Sequence, residues 1–244
     1  MKKIIKSILT SIFVRQAKAI LKAHNPLIVV VVGSVGKTGT KLAIANVLKQ
    51  KYRVCYQDGN YNVPLTLSFV LTGQQLPTLT NPFGWLKVWL KGQKYIYGRF
   101  PYDVVVLELG TDAPGDIQNF KNIVNPDIAV VSAISEEHME FFEEVEKVAE
   151  EELSVAQFST TLVVGSDDCD KKYLQLFVPS SKKVIKYGFN APAQYKVSAH
   201  RTSHHSFKVH ISIPSKHAVE TDVNVAAKHS VKPLAAATAV ADIL

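Results

Sequence analysis

Residues 27–38 read Leu-Ile-Val-Val-Val-Val-Gly-Ser-Val-Gly-Lys-Thr, and this stretch decides the fold class. Its apolar, β-branched first half predicts a strand that is buried on both faces. A tight turn with glycines follows, and a helix is expected from Lys41 to Gln50. Small residues in such a turn let backbone N–H groups converge on phosphate oxygens, and the N-terminus of the helix adds positive potential. The stretch therefore predicts a nucleotide-binding phosphate loop.

The loop supplies the candidate residues for binding ATP, namely Gly33, Ser34, Val35, Gly36, Lys37, Thr38 and Gly39. Lys37 is expected to reach the β- and γ-phosphates, and Thr38 to ligate Mg²⁺. Val31 stands where the widest form of the motif has its first glycine, so the match rests on the Gly-x-x-Gly-Lys-Thr core in its strand-to-helix context. Because kinases, ATPases and ligases share such loops, the loop alone does not name a reaction.

Patterns typical of strands and of helices alternate along the rest of the chain. Further buried strands are expected at 53–57, 103–109, 128–134 and 161–165, and helices at 64–71, 116–123 and 143–158. This alternation predicts an α/β fold with a mostly parallel sheet flanked by helices. Period-two patterns at 184–187, 195–199, 207–213 and 219–225 predict an appended antiparallel β region before a last helix, 232–244. Residues 72–101 stay unassigned.

Composition and charge narrow the function classes. The formal net charge of +7 is uneven, since residues 1–24 carry six basic residues and no acid, whereas residues 136–152 are strongly acidic. A uniform nucleic-acid-binding face is therefore not indicated. Two cysteines, Cys55 and Cys169, fit a reducing cytoplasm better than a disulfide scaffold.

The N-terminal segment predicts a basic amphipathic helix over residues 3–23. Its apolar run, 8–14, is too short to span a bilayer, and no small-residue cleavage site follows it. Two interpretations stay open. The helix either packs on the domain that follows, or it rests on an anionic membrane surface, which would place the protein at the inner face of the membrane.

Several motifs in collinear order carry a resemblance to one family. They are residues 33–38, Gly59-Asn60-Tyr61-Asn62 with Pro64-Leu65-Thr66, Glu108-Leu109-Gly110 with Gly115-Asp116-Ile117, Asn125-Pro126-Asp127 with His138-Met139-Glu140, and His229-Ser230-Val231. With these motifs the chain resembles the Mur ligase family, and within it the UDP-N-acetylmuramoyl-tripeptide–D-alanyl-D-alanine ligases. The resemblance implies that residues 25–244 form the central ATP-binding domain of that family, preceded by the basic helix of residues 1–24.

The resemblance also implies an activity, namely ATP-dependent amide bond formation in peptidoglycan precursor synthesis. ATP would phosphorylate a carboxylate, and an amine would attack the acyl phosphate to give the amide, ADP and phosphate. The implied acceptor is a UDP-linked muramoyl peptide, the implied amine is D-alanyl-D-alanine, and the implied cofactors are ATP and Mg²⁺. Two alternatives stay open: another Mur-like amide ligase, of the folate polyglutamate or cyanophycin type, and a nucleotide-binding protein without ligase activity.

The residues that would carry this chemistry fall into three sets. The catalytic candidates are Lys37, Glu108 and His138, the metal candidates are Thr38, Glu108, His138 and Glu152, and the substrate-binding candidates are Asn60, Asn62 and Thr66. Glu108 ends a buried strand, so its carboxylate should emerge at the edge of the sheet where ligands bind in open α/β folds. The resemblance implies that His138 holds a second Mg²⁺.

The sequence departs from the family pattern at several places. The family has a carbamylated lysine fourteen residues after the metal histidine, and here that position is Glu152. Glu152 either substitutes directly as a magnesium ligand or belongs to a solvated acidic helix face with Glu150 and Glu151. Pro233 stands where the family has an asparagine that faces adenine. Family members also have a domain on each side of this one, so we expect a fragment that is inactive alone.

Overall fold

The computed structural model describes residues 2–57, 63–190, 192–214 and 216–244. Its helices are α1 (Lys2–His24), α2 (Lys37–Leu48), α3 (Leu67–Thr72), α4 (Pro82–Tyr97), α5 (Met139–Phe142), α6 (Val145–Leu153), α7 (Lys171–Phe177) and α8 (Lys232–Ile243). Its strands are β1 (Leu27–Val32), β2 (Val54–Tyr56), β3 (Val104–Glu108), β4 (Ile128–Val131), β5 (Thr161–Gly165), β6 (Lys183–Gly188), β7 (Tyr195–Ser203), β8 (Ser206–Ile211) and β9 (Val219–Asn224).

The strands form one sheet in the order β2-β3-β1-β4-β5-β6-β7-β8-β9. The pairs from β2 to β7 are parallel, and β7, β8 and β9 pair antiparallel. The predicted α/β fold with an appended antiparallel region is therefore confirmed. The expectation for residues 184–187 is wrong, because β6 runs parallel to β5, with Leu162 beside Val184. A period-two pattern shows which side of a strand is buried, but it does not show the direction of the strand.

Helices cover both faces of the sheet. Alternate residues of the central strands point to opposite sides, so that Val30 and Leu107 pack in one apolar cluster and Val29 and Val106 in another. The first cluster includes buried residues of α1, α3 and α6, and the second those of α2 and α8. Burial on both faces is why the central strands read as continuous apolar runs.

Three local expectations differ from the structure. Helix α2 begins at Lys37, four residues earlier than expected, directly after Gly36 in the left-handed conformation. The segment 116–123 contains only a short 3₁₀ turn, Gln118–Phe120, and not the expected helix. The carboxylate of Glu151 accepts the N–H groups of Gly115 and Ile117 at 2.8 and 2.7 Å, so a side chain of α6 holds this loop. Helix α4 lies in the stretch left unassigned.

Helix α1 packs against α3 and α4, as the first of the two interpretations of the N-terminal segment predicts. Phe13, Ala17 and Ile20 are buried in this contact. Gln16 is buried as well, and its amide donates to the carbonyl oxygen of Trp89 at 2.8 Å. Among the described residues, no helix combines the length and apolar character that crossing a bilayer requires. This packing involves only the buried side of α1, so it does not test the interpretation that the helix rests on a membrane surface.

Candidate functional site

The phosphate loop joins the end of β1 to α2 at the carboxyl edge of the parallel strands. Gly33 has φ +123° and Gly36 has φ +83°, conformations that residues with a side chain rarely adopt. A Cβ on Gly33 would also lie 2.5 Å from Ser132 Oγ and 2.7 Å from the carbonyl oxygen of Ala133. Space and backbone conformation therefore both require glycine at position 33.

The loop that follows β4 holds the phosphate loop from the side. The N–H of Ser34 donates to the carbonyl oxygen of Ala133 at 2.8 Å, and the hydroxyl of Ser34 donates to the carbonyl oxygen of Ser135 at 3.0 Å. Ser132 donates its hydroxyl to the carbonyl oxygen of Val35 at 2.7 Å. Ser34 thus fixes the loop through its side chain. The first amides of α2, which have no acceptor within the helix, lie at the same edge.

Lys37 and Thr38 start α2 with their polar groups at this edge. Lys37 Nζ lies 3.0 Å from Glu137 Oε1 and 3.4 Å from the carbonyl oxygen of Ser34. The hydroxyl of Thr38 donates to Glu108 Oε2 at 3.0 Å. The structure thereby brings together three of the predicted site residues, since Glu108 is the last residue of β3 and sits beside the phosphate loop.

Glu108 is a buried carboxylate with a buried cation beside it. Its Oε2 atom lies 3.1 Å from Lys41 Nζ, and the side-chain exposures are 5% for Glu108 and 1% for Lys41. The backbone N–H of Glu108 donates to Gln57 Oε1 at 2.9 Å. A carboxylate that is paired in this way is fixed in orientation at the end of β3, next to the hydroxyl of Thr38.

His138 lies in a more open, acidic part of the same edge. It adopts the left-handed conformation, with φ +49°, at the start of α5. Its Nε2 atom is 3.6 Å from Asp112 Oδ1 and 3.8 Å from Glu137 Oε1, and Nδ1 is 3.9 Å from Glu140 Oε1. Glu137 is therefore shared between Lys37 and His138. Across the described ranges, no group of three or more His, Cys, Asp or Glu side chains has the arrangement of a metal site.

Glu152 is fully buried below the phosphate loop, so the alternative of a solvated acidic face is wrong for this residue and for Glu151. Its Oε2 atom accepts the N–H of Gly33 at 2.7 Å. Within the described part of the chain, Oε1 has no hydrogen-bond partner. Burial raises the pKa of the carboxyl to about 8, although the charge of Lys37 and the Gly33 N–H oppose this shift. The contact that the structure gives Glu152 is to the loop, and a role as magnesium ligand stays a prediction.

The predicted substrate-binding residues are placed only in part. Asn60 and Asn62 lie outside the described residues. Thr66 is buried, and its hydroxyl donates to the carbonyl oxygen of Val63 at 2.6 Å within a short 3₁₀ turn. A contribution of these three residues to substrate binding stays a prediction.

A cleft of about 640 Å³ extends from the phosphate loop along α2. Gly36 and Thr40 line it together with residues 132–135. His229, Lys232 and Pro233 line it as well, and Lys232 forms an ion pair with Asp168. Because the cleft joins the loop directly, it can hold the rest of a nucleotide whose phosphates lie at Lys37.

Sequence reasoning missed three residues that shape the site. Lys41 follows Thr38 by three residues, one turn along α2, and this spacing could have placed it beside the same carboxylate. Glu137 immediately precedes His138, and Ser132 is a small polar residue at the end of a buried strand. Neither of these had a sequence signal for its partner, since the contacts to Lys37 and Val35 span 100 and 97 residues.

Comparisons with known proteins show the family of the chain. The Mur ligase middle domain matches residues 31–241. The UDP-N-acetylmuramoyl-tripeptide–D-alanyl-D-alanine ligase of Rickettsia prowazekii (strain Madrid E) is 26% identical over 194 residues, which are 77% of this chain and 38% of that protein. The enzyme of the same name from Bacillus subtilis (strain 168) is 33% identical over 139 residues, 57% of this chain and 25% of that one.

Solved structures share the fold. The MurF ligase of Thermotoga maritima, determined in complex with ADP, superposes with a TM-score of 0.74 at 20% identity and matches 96% of this chain and 49% of that one. MurF from Acinetobacter baumannii gives a TM-score of 0.72 at 16% identity, over 96% of this chain and 45% of that one. The chain thus spans less than half the length of these relatives. Since the middle-domain match covers most of its residues, the chain belongs to the Mur ligase family.

Proposed function

We propose that this chain is the ATP-binding part of an ADP-forming ligase that makes an amide bond in peptidoglycan precursor synthesis. The proposed acceptor is a UDP-linked muramoyl peptide, and the proposed amine is D-alanyl-D-alanine. Residues 25–244 would act as the central domain. One observation carries the proposal: Lys37 and Thr38 open α2 beside a buried carboxylate, with Thr38 Oγ1 3.0 Å from Glu108.

The oxygen donors at this point fit Mg²⁺. A hydroxyl and a carboxylate are hard ligands, and Mg²⁺ in nucleotide sites commonly uses one or two carboxylates together with substrate phosphates. Thr38 and Glu108 would hold the ion, and their present hydrogen bond already places both donors on one side of the loop. When bound, Mg²⁺ neutralises charge on the phosphate oxygens. The ion pair with Lys41 keeps the Glu108 carboxylate in this orientation.

Lys37 would bind the β- and γ-phosphates. Its ammonium group pairs with Glu137, so that pair has to open when a triphosphate binds. Phosphoryl transfer depends on positioning and charge neutralisation more than on covalent help from the protein. The amides at the start of α2 would supply both, because they are fixed before the substrate arrives. The ammonium group of Lys37 would add its charge once its pair with Glu137 has opened. The substrate carboxylate would attack the γ-phosphate and release ADP, and the amine would then displace phosphate from the acyl phosphate to form the amide.

The remaining candidates fit around this centre. The base and ribose would occupy the cleft that runs toward Lys232 and Pro233. We propose His138 as a ligand of a second Mg²⁺, because its ring lies among the carboxylates of Asp112, Glu137 and Glu140. For Glu152 the contact to Gly33 supports a role in fixing the phosphate loop, and a direct role toward that ion would require its carboxylate to turn.

Substrate-dependent release of ADP tests the proposal. The experiment uses the protein with whatever further domains its gene supplies, and a panel of acceptors that includes a UDP-muramoyl tripeptide, a folate and a cyanophycin primer. We expect ADP release only with the muramoyl peptide and D-alanyl-D-alanine together, and loss of that release in Glu108→Gln. ADP release with another acceptor would show that the chain is part of another Mur-like amide ligase. ATP binding without any amide product would make the chain a nucleotide-binding protein without ligase activity.

A further inference from the structure

Charge is divided unequally between the two parts of this sequence. The first 102 residues contain 15 Lys and Arg but a single acid, Asp58, whereas the remainder contains 13 Lys and Arg and 20 acids. Helices α1 and α4 both lie in the cationic part, and neither contains an acidic residue. A partner that binds the exposed surface of these two helices therefore contacts positive charges that no acidic residue of either helix neutralises.

Helix α1 exposes an apolar stripe in addition to its buried side. Ile5, Ile8 and Ile12 are 48%, 55% and 41% exposed. Their spacing of three and four residues places them on one side of the helix. Gln16 continues this side one turn later, and its amide donates to the carbonyl oxygen of Trp89 in α4. The exposed isoleucines therefore lie along the edge of α1 that borders α4.

Helix α4 is apolar on two sides. Trp85, Val88 and Gly92 form its buried side. A second stripe, at spacings of three and four residues, is open to solvent, with Phe83 82%, Leu86 49% and Leu90 53% exposed. Trp89 lies at its edge, is 39% exposed, and accepts the Gln16 amide through its carbonyl oxygen. The same helix contains three lysines, Lys87, Lys91 and Lys94.

Helices α1 and α4 pack on each other, and each carries an exposed apolar stripe. We call the surface the α1–α4 face and define it by Ile5, Ile8, Ile12, Phe83, Leu86, Trp89 and Leu90. Seven large apolar side chains exposed on two packed helices are more than the scattered surface residues that need no explanation, and such patches mark interaction sites. Lysines and arginines are the charged residues of both helices, so the partner should be anionic as well as apolar.

We propose that the α1–α4 face rests on an anionic membrane surface, with its apolar side chains at the level of the lipid headgroups. Helices that lie in the interface have this composition, with apolar residues on one side and lysines beside them. Each basic residue near an anionic leaflet adds attraction. A second copy of this chain fits less well, because self-association through this face would bring the cationic helices of both copies together. The proposal does not depend on the ligase activity.

Flotation with vesicles tests the proposal on this chain. We expect it to bind phosphatidylcholine vesicles that contain phosphatidylglycerol, to bind pure phosphatidylcholine weakly, and to be released by salt. The double variant Lys87→Gln/Lys91→Gln should lower the partition coefficient about fivefold per lysine. Leu86→Gln/Leu90→Gln should lower it about tenfold or more. Leu176→Gln, at a leucine of α7 that is 62% exposed, is the matched control and should bind like the unmodified chain.

Tryptophan fluorescence shows whether α4 itself meets the lipid. The chain has two tryptophans, Trp85 and Trp89, and both lie on α4. Binding should shift the emission to shorter wavelength as Trp89 leaves water, and brominated lipids should quench it. Circular dichroism of the glutamine variants checks that they fold.

Three results would overturn the proposal. The first is the absence of binding to anionic vesicles. The second is binding that leaves the tryptophan emission unchanged and is equal in the Leu86/Leu90 variant. The third is sedimentation of a dimer without lipid that the same variant dissociates, because the face would then bind a second copy.

Discussion

The ammonium group of Lys41 lies 3.1 Å from the carboxylate of Glu108, and both side chains are almost completely buried. Lys41→Met should destabilise the fold by about 3–5 kcal/mol, because it leaves a buried carboxylate without its cation. Urea unfolding at neutral pH measures this. In the control Lys147→Met, the lost pair to Glu150 is more than half exposed, and the unfolding midpoint should stay nearly unchanged. Equal effects of the two substitutions would contradict a buried ion pair.

Glu152 should make stability depend on pH. Burial raises its pKa to about 8 in the fold, from an ordinary value near 4.5. The folded state then holds a proton that the unfolded state has lost, so stability falls as the pH rises from about 5 to 8, at most by about 1.4 kcal/mol per unit, and levels off above. Glu152→Gln keeps an acceptor for the Gly33 N–H and should lack this decline.

Unfolding free energies of both proteins across that pH range test the prediction. The difference between Glu152→Gln and the unmodified chain should widen with pH in favour of the variant. Parallel curves would mean that the carboxyl is ionised in the fold throughout the range, as a residue reached by solvent would be.

Gly33 should not tolerate a side chain, whereas Gly39 should. Gly33→Ala combines φ +123° with a Cβ 2.5 Å from Ser132 Oγ, so we expect a loss of about 2 kcal/mol or more in unfolding free energy and weaker ATP binding. Gly39 lies in α2, and the nearest atom to its added Cβ would be Pro233 Cγ at 3.9 Å. Gly39→Ala should stabilise the chain by about 0.5 kcal/mol. Thermal unfolding measures both changes in stability. Equal changes in the two variants would contradict the claim that position 33 requires glycine and position 39 does not.

Glu137 should compete with the nucleotide for Lys37. Their side chains are 22% and 12% exposed and lie 3.0 Å apart. Glu137→Gln removes the charge that Lys37 must leave when phosphate binds, so the affinity for Mg-ATP should rise about two- to fivefold, as expected for a pair worth up to about 1 kcal/mol. Calorimetric titration measures this. A weaker affinity would instead indicate that Glu137 itself contributes to holding Mg²⁺.

Much of the fold could be predicted because its central strands are buried on both faces. Residues 27–32, 128–131 and 162–164 are continuous apolar runs, and that pattern needs no partner to be recognised. Helix α4 could not be assigned, because its apolar residues face two directions and its stretch is rich in proline, glycine and aromatics. The loop at 115–117 depends on Glu151, a residue 34 positions away from Ile117, so a local pattern cannot show it.

Some residues of the site could also be predicted from the sequence, and others could not. Gly33, Lys37 and Thr38 follow from one local motif, and Glu108 follows from the rule that strand ends meet at one edge. The spacing of Lys41 from Thr38 could have placed Lys41 near Glu108 as well. Glu137 becomes evident only when the chain folds, because its partner Lys37 is 100 positions away. The burial of Glu152 was not evident either, since its two preceding residues are also glutamates and such a run is typical of a solvated face.

The most direct test of the account is calorimetric titration of this chain with Mg-ATP, because the proposed function requires a triphosphate between Lys37 and the Thr38–Glu108 pair. The unmodified chain should bind with measurable heat, and Lys37→Ala should weaken binding about a hundredfold, the effect of losing charge-assisted hydrogen bonds. Lys51→Ala, a lysine exposed beyond the end of α2, should bind normally. If the unmodified chain has no affinity for Mg-ATP, or if Lys37→Ala and Lys51→Ala bind equally well, the phosphate loop does not do what its geometry implies.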